Sequence, residues 1–232
     1  MSVTYGTSVV TADQILCLDA GNSKSYSGSG TTWTDLSVSR QTATLAGSPT
    51  YTSGYFNFNG STNTAPVPYT TLLDPTGGIT IECWVYPTDI TTNTVYTVFR
   101  KEGTGAVGRQ NFAFAANGTQ LKFGTDTTVN GYSEMAATIS SGNYVNQWVQ
   151  VVATYVPGSK VIYRNALSIT SSAGITGALQ QGNNGFGYYL GSTQAVGEFF
   201  LGRYSLCRMY NRALSAAEVL QNFNALRGRY GI

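Results

Sequence analysis

The chain has 232 residues, of which 42% are hydrophobic and only 10% charged, with a formal net charge of +2 and no histidine. Charge that small excludes a surface built to attract nucleic acid or anionic membrane as a whole, and the missing imidazole excludes serine–histidine and cysteine–histidine nucleophilic catalysis. Solubility falls to Ser, Thr, Asn and Gly, an exterior that suits an extracellular or particle-surface β-protein better than a charged cytosolic enzyme.

The length fits one β-sandwich domain of roughly 200–250 residues, and no linker or internal repeat divides it. Met1-Ser2-Val3-Thr4 has no basic segment leading into an apolar run, so no secretion signal is expected. No apolar stretch approaches the roughly 18 residues that a membrane span requires. Residues 1–11 read as a loosely ordered arm or an edge strand. Ile15 to Leu18 is a short apolar strand, followed by a Ser- and Gly-rich loop from Asn22 to Thr31. Phe56 and Phe58 alternate with Asn57 and Asn59, a half-buried strand closed by Gly60. In the next strand Ile79, Ile81, Cys83 and Val85 share one face, Glu82, Trp84 and Tyr86 the other, and Pro87 ends it.

Val95 to Phe99, Phe112 to Ala116 and Leu121 to Phe123 predict successive antiparallel strands, the last two joined by the hairpin turn Asn117-Gly118. Trp148 to Val156 is the clearest strand, turning at Pro157-Gly158 into Lys160 to Arg164. Phe186 to Leu190 and Phe199 to Tyr210 supply the closing strands. Ser215 stands three residues ahead of Glu218, the spacing of a capping box, with Leu214 and Val219 at the staple positions. A helix over 215–227 is therefore predicted, with Val219, Leu220, Phe223 and Leu226 as its apolar stripe and Gly228 releasing the chain. A short helix with one apolar face must dock, and only sheet is available to receive it.

Cys17, Cys83 and Cys207 are odd in number and each lies within a predicted strand, which argues for free buried thiols and a reducing folding compartment. Arg203, Arg208, Arg212, Arg227 and Arg229 concentrate near the C-terminus. They read either as a solvated edge complementing the helix end or as a docking patch for an acidic partner.

Six fragments carry a family resemblance in the same order along the chain: Leu16-Cys17-Leu18-Asp19-Ala20-Gly21-Asn22, Trp33-Thr34-Asp35-Leu36-Ser37, Phe56-Asn57-Phe58-Asn59-Gly60, the strand Ile79 to Pro87, Trp148 to Tyr155, and Tyr210 to Val219. Together they resemble the concanavalin A-like lectin/glucanase superfamily, specifically its laminin G-like jelly-roll domains of the kind found in bacteriophage structural proteins. The resemblance implies an all-β fold: a two-sheet antiparallel jelly-roll sandwich with one C-terminal amphipathic helix against it. Two departures stand out. Asn59-Gly60 replaces the family's Asp-Gly, removing a carboxylate that could serve a cation. Tyr163-Arg164-Asn165-Ala166 replaces a Tyr-x-Asn-Gly hairpin, so a different turn is expected there.

Glycoside cleavage needs two carboxyl groups held about 5–10 Å apart, and the superfamily's glucanases place theirs in a Glu-x-Asp-x-x-Glu run, or one like it, that this chain lacks. Glu82 therefore reads as a structural carboxylate, and no enzymatic activity is expected. Asp19, Asp35, Asp74, Asp89 and Asp126 form no dense acidic loop, so neither a metal nor another cofactor is expected. Sugar recognition needs an aromatic platform beside amides and hydroxyls. Tyr188 and Tyr189 beside Asn183 and Asn184, and Tyr132 beside Asn130, are the ligand-binding candidates. The leading expectation is a non-enzymatic phage virion-surface protein, a head decoration or fibre component. Its partners would be capsid or tail proteins, further copies of itself and host-surface glycans. The alternative is a free lectin-like carbohydrate-binding module.

Overall fold

Ile79, Ile81, Cys83 and Val85 point to one side of the strand Ile79–Pro87 and are sealed from solvent, while Glu82 and Trp84 on its other side are equally buried. A strand buried on both faces needs a layer on each. Here a second sheet covers one face and the C-terminal helix the other. The computed structural model describes residues 8–93, 95–102, 107–182, 187–193 and 197–232. Its strands begin with β1 (Gln14–Asp19), β2 (Thr32–Trp33), β3 (Ala43–Thr44), β4 (Thr50–Thr52), β5 (Tyr55–Asn59), β6 (Ala65–Val67), β7 (Ile79–Pro87) and β8 (Val95–Lys101). They continue with β9 (Gln110–Ala115), β10 (Gln120–Thr127), β11 (Gly131–Thr138), β12 (Val149–Val156), β13 (Ser159–Arg164), β14 (Leu167–Ser172), β15 (Tyr188–Leu190) and β16 (Leu201–Tyr210).

Two antiparallel sheets form the sandwich. The eight-stranded sheet runs β14-β13-β12-β7-β16-β5-β4, with β1 also paired to β16, and the six-stranded sheet runs β11-β10-β9-β8-β15-β6. The predicted meander is the run β8 to β11. Its fourth strand, Gly131–Thr138, has no sequence forecast because its outward face alternates polar residues with alanine and only Met135 and Ala137 face the core. Phe56, Phe58, Phe99, Phe112, Phe114, Phe123, Tyr155 and Tyr204 fill the space between the sheets. A bulge in β16 between Tyr204 and Leu206 shifts the alternation, so Tyr204 enters that core while Leu206 faces the helix layer.

The helix α1 (Ala216–Leu226) starts at Ser215 with the full capping box: the Ser215 hydroxyl accepts from the Glu218 amide and the Glu218 carboxylate accepts from the Ser215 amide. Leu214 and Val219 are buried together against Val152 and Tyr210, each contributing about 1.5–3 kcal/mol. Leu220, expected in the apolar stripe, is instead 48% exposed; the buried place about one turn after Val219 goes to Asn222. Phe223 stacks on Trp84 at 5.8 Å and 3°. Gly228 does not release the chain: a 3-10 turn continues over Arg227–Tyr230, and Gly231 takes the left-handed conformation with φ of 72°. Tyr230 thereby stacks on Trp84 at 4.1 Å.

A buried polar network ties helix to sheet. Glu82 accepts hydrogen bonds from Gln150, Trp84 and Asn222, at 2.9, 3.3 and 2.8 Å, and Arg208 lies 3.7 Å from it. Asn222 also accepts from the Val10 amide at 2.8 Å, so the segment from Ser8 to Thr11 is tucked beneath the helix, neither a loose arm nor an edge strand. Residues 1–7 lie outside the described residues.

The arginines do not form one patch. Arg208 is buried on Glu82, Arg212 forks onto Glu218 and reaches Asp13, and Arg229 forks onto Asp19. The three cysteines are free and buried, and burial pushes the Cys17 and Cys207 thiols up. The hairpin joining β13 to β14 keeps positive φ at both central residues, 47° at Asn165 and 63° at Ala166. That is the dihedral signature of a type I′ turn with alanine carrying the strain, so the turn expected to differ is retained. No helix among the described residues is long and apolar enough to cross a membrane.

Candidate functional site

The outward residues of the six-stranded sheet form a transverse row fixed by register: Glu134 of β11, Gly124 of β10, Asn111 of β9, Arg100 of β8, Tyr189 of β15 and Pro66 of β6. Each strand's alternation sends its apolar residues inward and leaves these facing out. On β9 the outward residues beside Asn111 are Ala113 and Ala115, small enough to make a floor. On β10 the row passes through Gly124, where a Cβ would collide with the Tyr132 hydroxyl. The result is a groove of about 230 Å³ along the sheet face, bordered by Arg100, Arg109, Lys122, Tyr132, Glu134 and Glu198. A second hollow of about 390 Å³ continues it past Val95 and Glu198 to Gly60.

Three cations and two carboxylates border the groove, and Glu102 beside it supplies the third carboxylate. Glu134 lies 3.4 Å from Lys122, Glu198 3.1 Å from Arg100, and Glu102 2.9 Å from Arg100 and 3.8 Å from Arg109. The Tyr132 hydroxyl donates to Glu134 at 2.7 Å and the Arg109 guanidinium lies 5.3 Å from the Tyr132 ring. Burial pushes the Glu134 carboxyl up, but the Tyr132 hydroxyl, Lys122 and the Asn111 amide outweigh it and hold the carboxyl below its ordinary value. Burial, then Glu134, raises the Tyr132 phenol. Among the described residues that line the groove, Asn111 Oδ1, Arg100 Nε and Arg109 Nε are buried without a hydrogen-bond partner. Arg100 Nε approaches Glu102, but at an angle that makes an ion pair and no hydrogen bond.

The arrangement is poor for glycoside cleavage. Glu134 stands on β11 and Glu198 is held at β8 by Arg100, with two strands between them. Glu102 and Glu198 both pair with the Arg100 guanidinium, which stands between them. Among the described residues no three His, Cys, Asp or Glu side chains converge as a metal site. Asp35 instead organises its loop, accepting from the amides of Cys17, Ser37 and Gln41, and Asp126 accepts from the Gly108 amide. Asp74 pairs with the buried Lys101.

Of the sequence candidates, Tyr132 and Tyr189 share this outer face. Tyr188 faces the opposite way, fully buried in the core with its hydroxyl on the Leu73 carbonyl; neighbours on a strand point to opposite faces, so the pair could not both serve. Asn130 accepts from the Thr176 amide at 2.7 Å and fastens a loop. Asn183 and Asn184 lie outside the described residues. Asn111, Glu134, Arg100 and Arg109 were not singled out from sequence. Outward Asn and Glu on a sheet whose other face is aromatic was the available signal, but strand pairing was needed to bring them into one row.

The family model for the concanavalin A-like lectin/glucanases superfamily matches residues 59–220, and the chain belongs to that superfamily, in its laminin G-like branch. A comparison with curated proteins finds no match. Among solved structures, the chain is similar to the botulinum neurotoxin serotype G binding domain, with 14% identity and a TM-score of 0.70 over 90% of this chain and 50% of that one. It is also similar to the binding domain of botulinum neurotoxin DC in complex with SialylT, at 13% identity and TM-score 0.66 over 93% of this chain and 52% of that one. The same binding domain in complex with rat synaptotagmin II gives 13% and 0.67, over 94% and 52%. The chain thus spans about half the length of these structures, and the likeness is one of fold.

Proposed function

We propose that this chain is a non-catalytic carbohydrate-binding jelly-roll module that acts as a surface structural protein of a phage virion, as a head decoration or fibre component. The observation that carries the binding role is the groove along the row from Glu134 to Tyr189, where Asn111, Arg109, Lys122 and Tyr132 border a floor of small residues. Balanced charge favours neutral, hydroxyl-rich ligands over ions, and half-exposed Tyr132 and Tyr189 offer faces to sugar C–H groups. The lectin-bearing superfamily and neighbours that are themselves binding domains support adhesion over catalysis.

The virion role draws its support from the laminin G-like resemblance and the neutral, hydroxylated exterior. In that role, capsid or tail proteins and further copies of the chain would cover part of the surface, leaving the groove for host glycans. A glycan array on the isolated protein, together with protein mass spectrometry of purified particles, tests both halves. Binding of neutral glycans and presence in particles is the expected result. Glycan binding without presence in particles assigns a free lectin-like module, and an empty array removes the carbohydrate role.

A further inference from the structure

The outer face of the eight-stranded sheet carries a separate cluster beside the docked helix. Tyr55 of β5, Tyr86 of β7 and Trp148, which precedes β12, are all half-exposed. Trp148 meets Tyr55 edge-on at 5.6 Å and Tyr86 at 5.7 Å, and its ring lies 4.8 Å from Tyr230. Between the two tyrosines stands Arg203 of β16, in register with Tyr86 on one side and Asn57 on the other. Its guanidinium carbon is 4.4 Å from the Tyr86 ring centre and 5.0 Å from that of Tyr55.

Arg203 differs from its neighbours in charge. Arg229 and Arg212 are neutralised by Asp19 and Glu218, whereas among the described residues Arg203 has only the two rings as partners. Stacking occupies the faces of a guanidinium and leaves its in-plane N–H fork free for a carboxylate. The rings also hold that fork in place, so little side-chain freedom is lost on binding. Trp148 keeps part of its ring at the surface, and a cavity of about 120 Å³ opens beside it between Tyr55, Trp148, Arg229 and Tyr230. A fixed, uncompensated cation next to an aromatic platform matches a ring that carries a carboxylate.

We propose that Arg203, Trp148, Tyr55 and Tyr86 form a second saccharide site, selective for acidic sugars of the uronic-acid class. It stands on the sheet opposite the charge-balanced groove and does not depend on that groove's function.

Trp33 and Trp84 are fully buried, so an exposed-tryptophan fluorescence change reports Trp148. Titration with trigalacturonate is expected to give a saturable change, with trigalactose at least roughly tenfold weaker because it lacks the charge-assisted bond. Arg203→Met is expected to weaken trigalacturonate at least roughly tenfold, with Arg203→Lys between the two. Tyr132→Phe in the groove should leave this titration unchanged, so failure of one site is distinguishable from failure of the other. Circular dichroism checks that the variants fold, and the Trp148 indole N–H resonance in the unsubstituted protein gives a second readout. No saturable change with trigalacturonate, unchanged affinity in Arg203→Met, or equal binding of triglutamate would overturn the assignment.

Discussion

Asn222 on the C-terminal helix donates to Glu82 in the middle of the central strand at 2.8 Å, with neither side chain exposed to solvent. The same amide accepts from the Val10 backbone, so one side chain joins the N-terminal segment, the helix and the sheet. Removing it leaves a Glu82 oxygen with only Arg208, 3.7 Å away. Loss of one partner from a buried charged network costs about 2–4 kcal/mol. Asn222→Ala is therefore expected to lower Tm by roughly 5–15 °C in a chain of this size, measured by calorimetry. Leu220→Ala, on the exposed side of the helix, should change it little.

Lys160 is fully buried, with its ammonium 5.3 Å from the Phe123 ring centre and 3.2 Å from the Ser133 carbonyl. Burial pushes its amine down to about 8, against a smaller upward pull from Glu134. Between that value and the unfolded value of about 10.4 the unfolded chain binds more protons, so this group's contribution to stability rises with pH across that window. Below it both states are charged and the full desolvation cost is present. Lys160→Met is expected to be more stable than the parent by about 1–3 kcal/mol near pH 7, with the gap closing toward pH 10. Urea unfolding at several pH values checks the trend.

Ala166 holds φ of 63° in the hairpin between β13 and β14. A left-handed alanine costs roughly 1–2 kcal/mol, partly offset by the greater freedom glycine has when unfolded. Ala166→Gly should stabilise the protein by roughly 0.5–1 kcal/mol, seen as a higher denaturant midpoint with an unchanged slope.

Tyr132 donates to Glu134 at 2.7 Å and helps hold that carboxyl below its ordinary value. In Tyr132→Phe the Glu134 pKa is expected to move upward, readable by carboxyl-carbon NMR. If an ionised Glu134 is what grips a sugar hydroxyl, affinity in the variant fails at a higher pH than in the parent as the solution is acidified.

Much of this fold is legible in the residues. The alternation in Phe56-Asn57-Phe58-Asn59 and along Ile79–Pro87, the Asn117-Gly118 turn and the Ser215–Glu218 cap each specify a local structure that packing then preserves. Gly131–Thr138 escaped because its polar face outweighs its apolar one, and Leu220 was misjudged because helical spacing cannot tell a docking face from its rim. The site was less readable. Tyr132 and Tyr189 lie on the face that carries the groove, but Glu134, Asn111 and Arg100 become neighbours only through the pairing of β11, β10, β9 and β8. The succession of β8, β9 and β10 is readable from the turns between them, but the register that aligns these residues, and β11 itself, is not.

The central claim is that the outer face of the six-stranded sheet grips sugars without cutting them. Its most direct test is a residue-resolved NMR titration of the labelled protein with the strongest neutral binder from a glycan array. Shifts confined to Glu134, Tyr132, Asn111, Arg100, Arg109 and Tyr189, with the glycan recovered intact, are the expected result. Release of reducing sugar, or shifts that bypass that row, would contradict it.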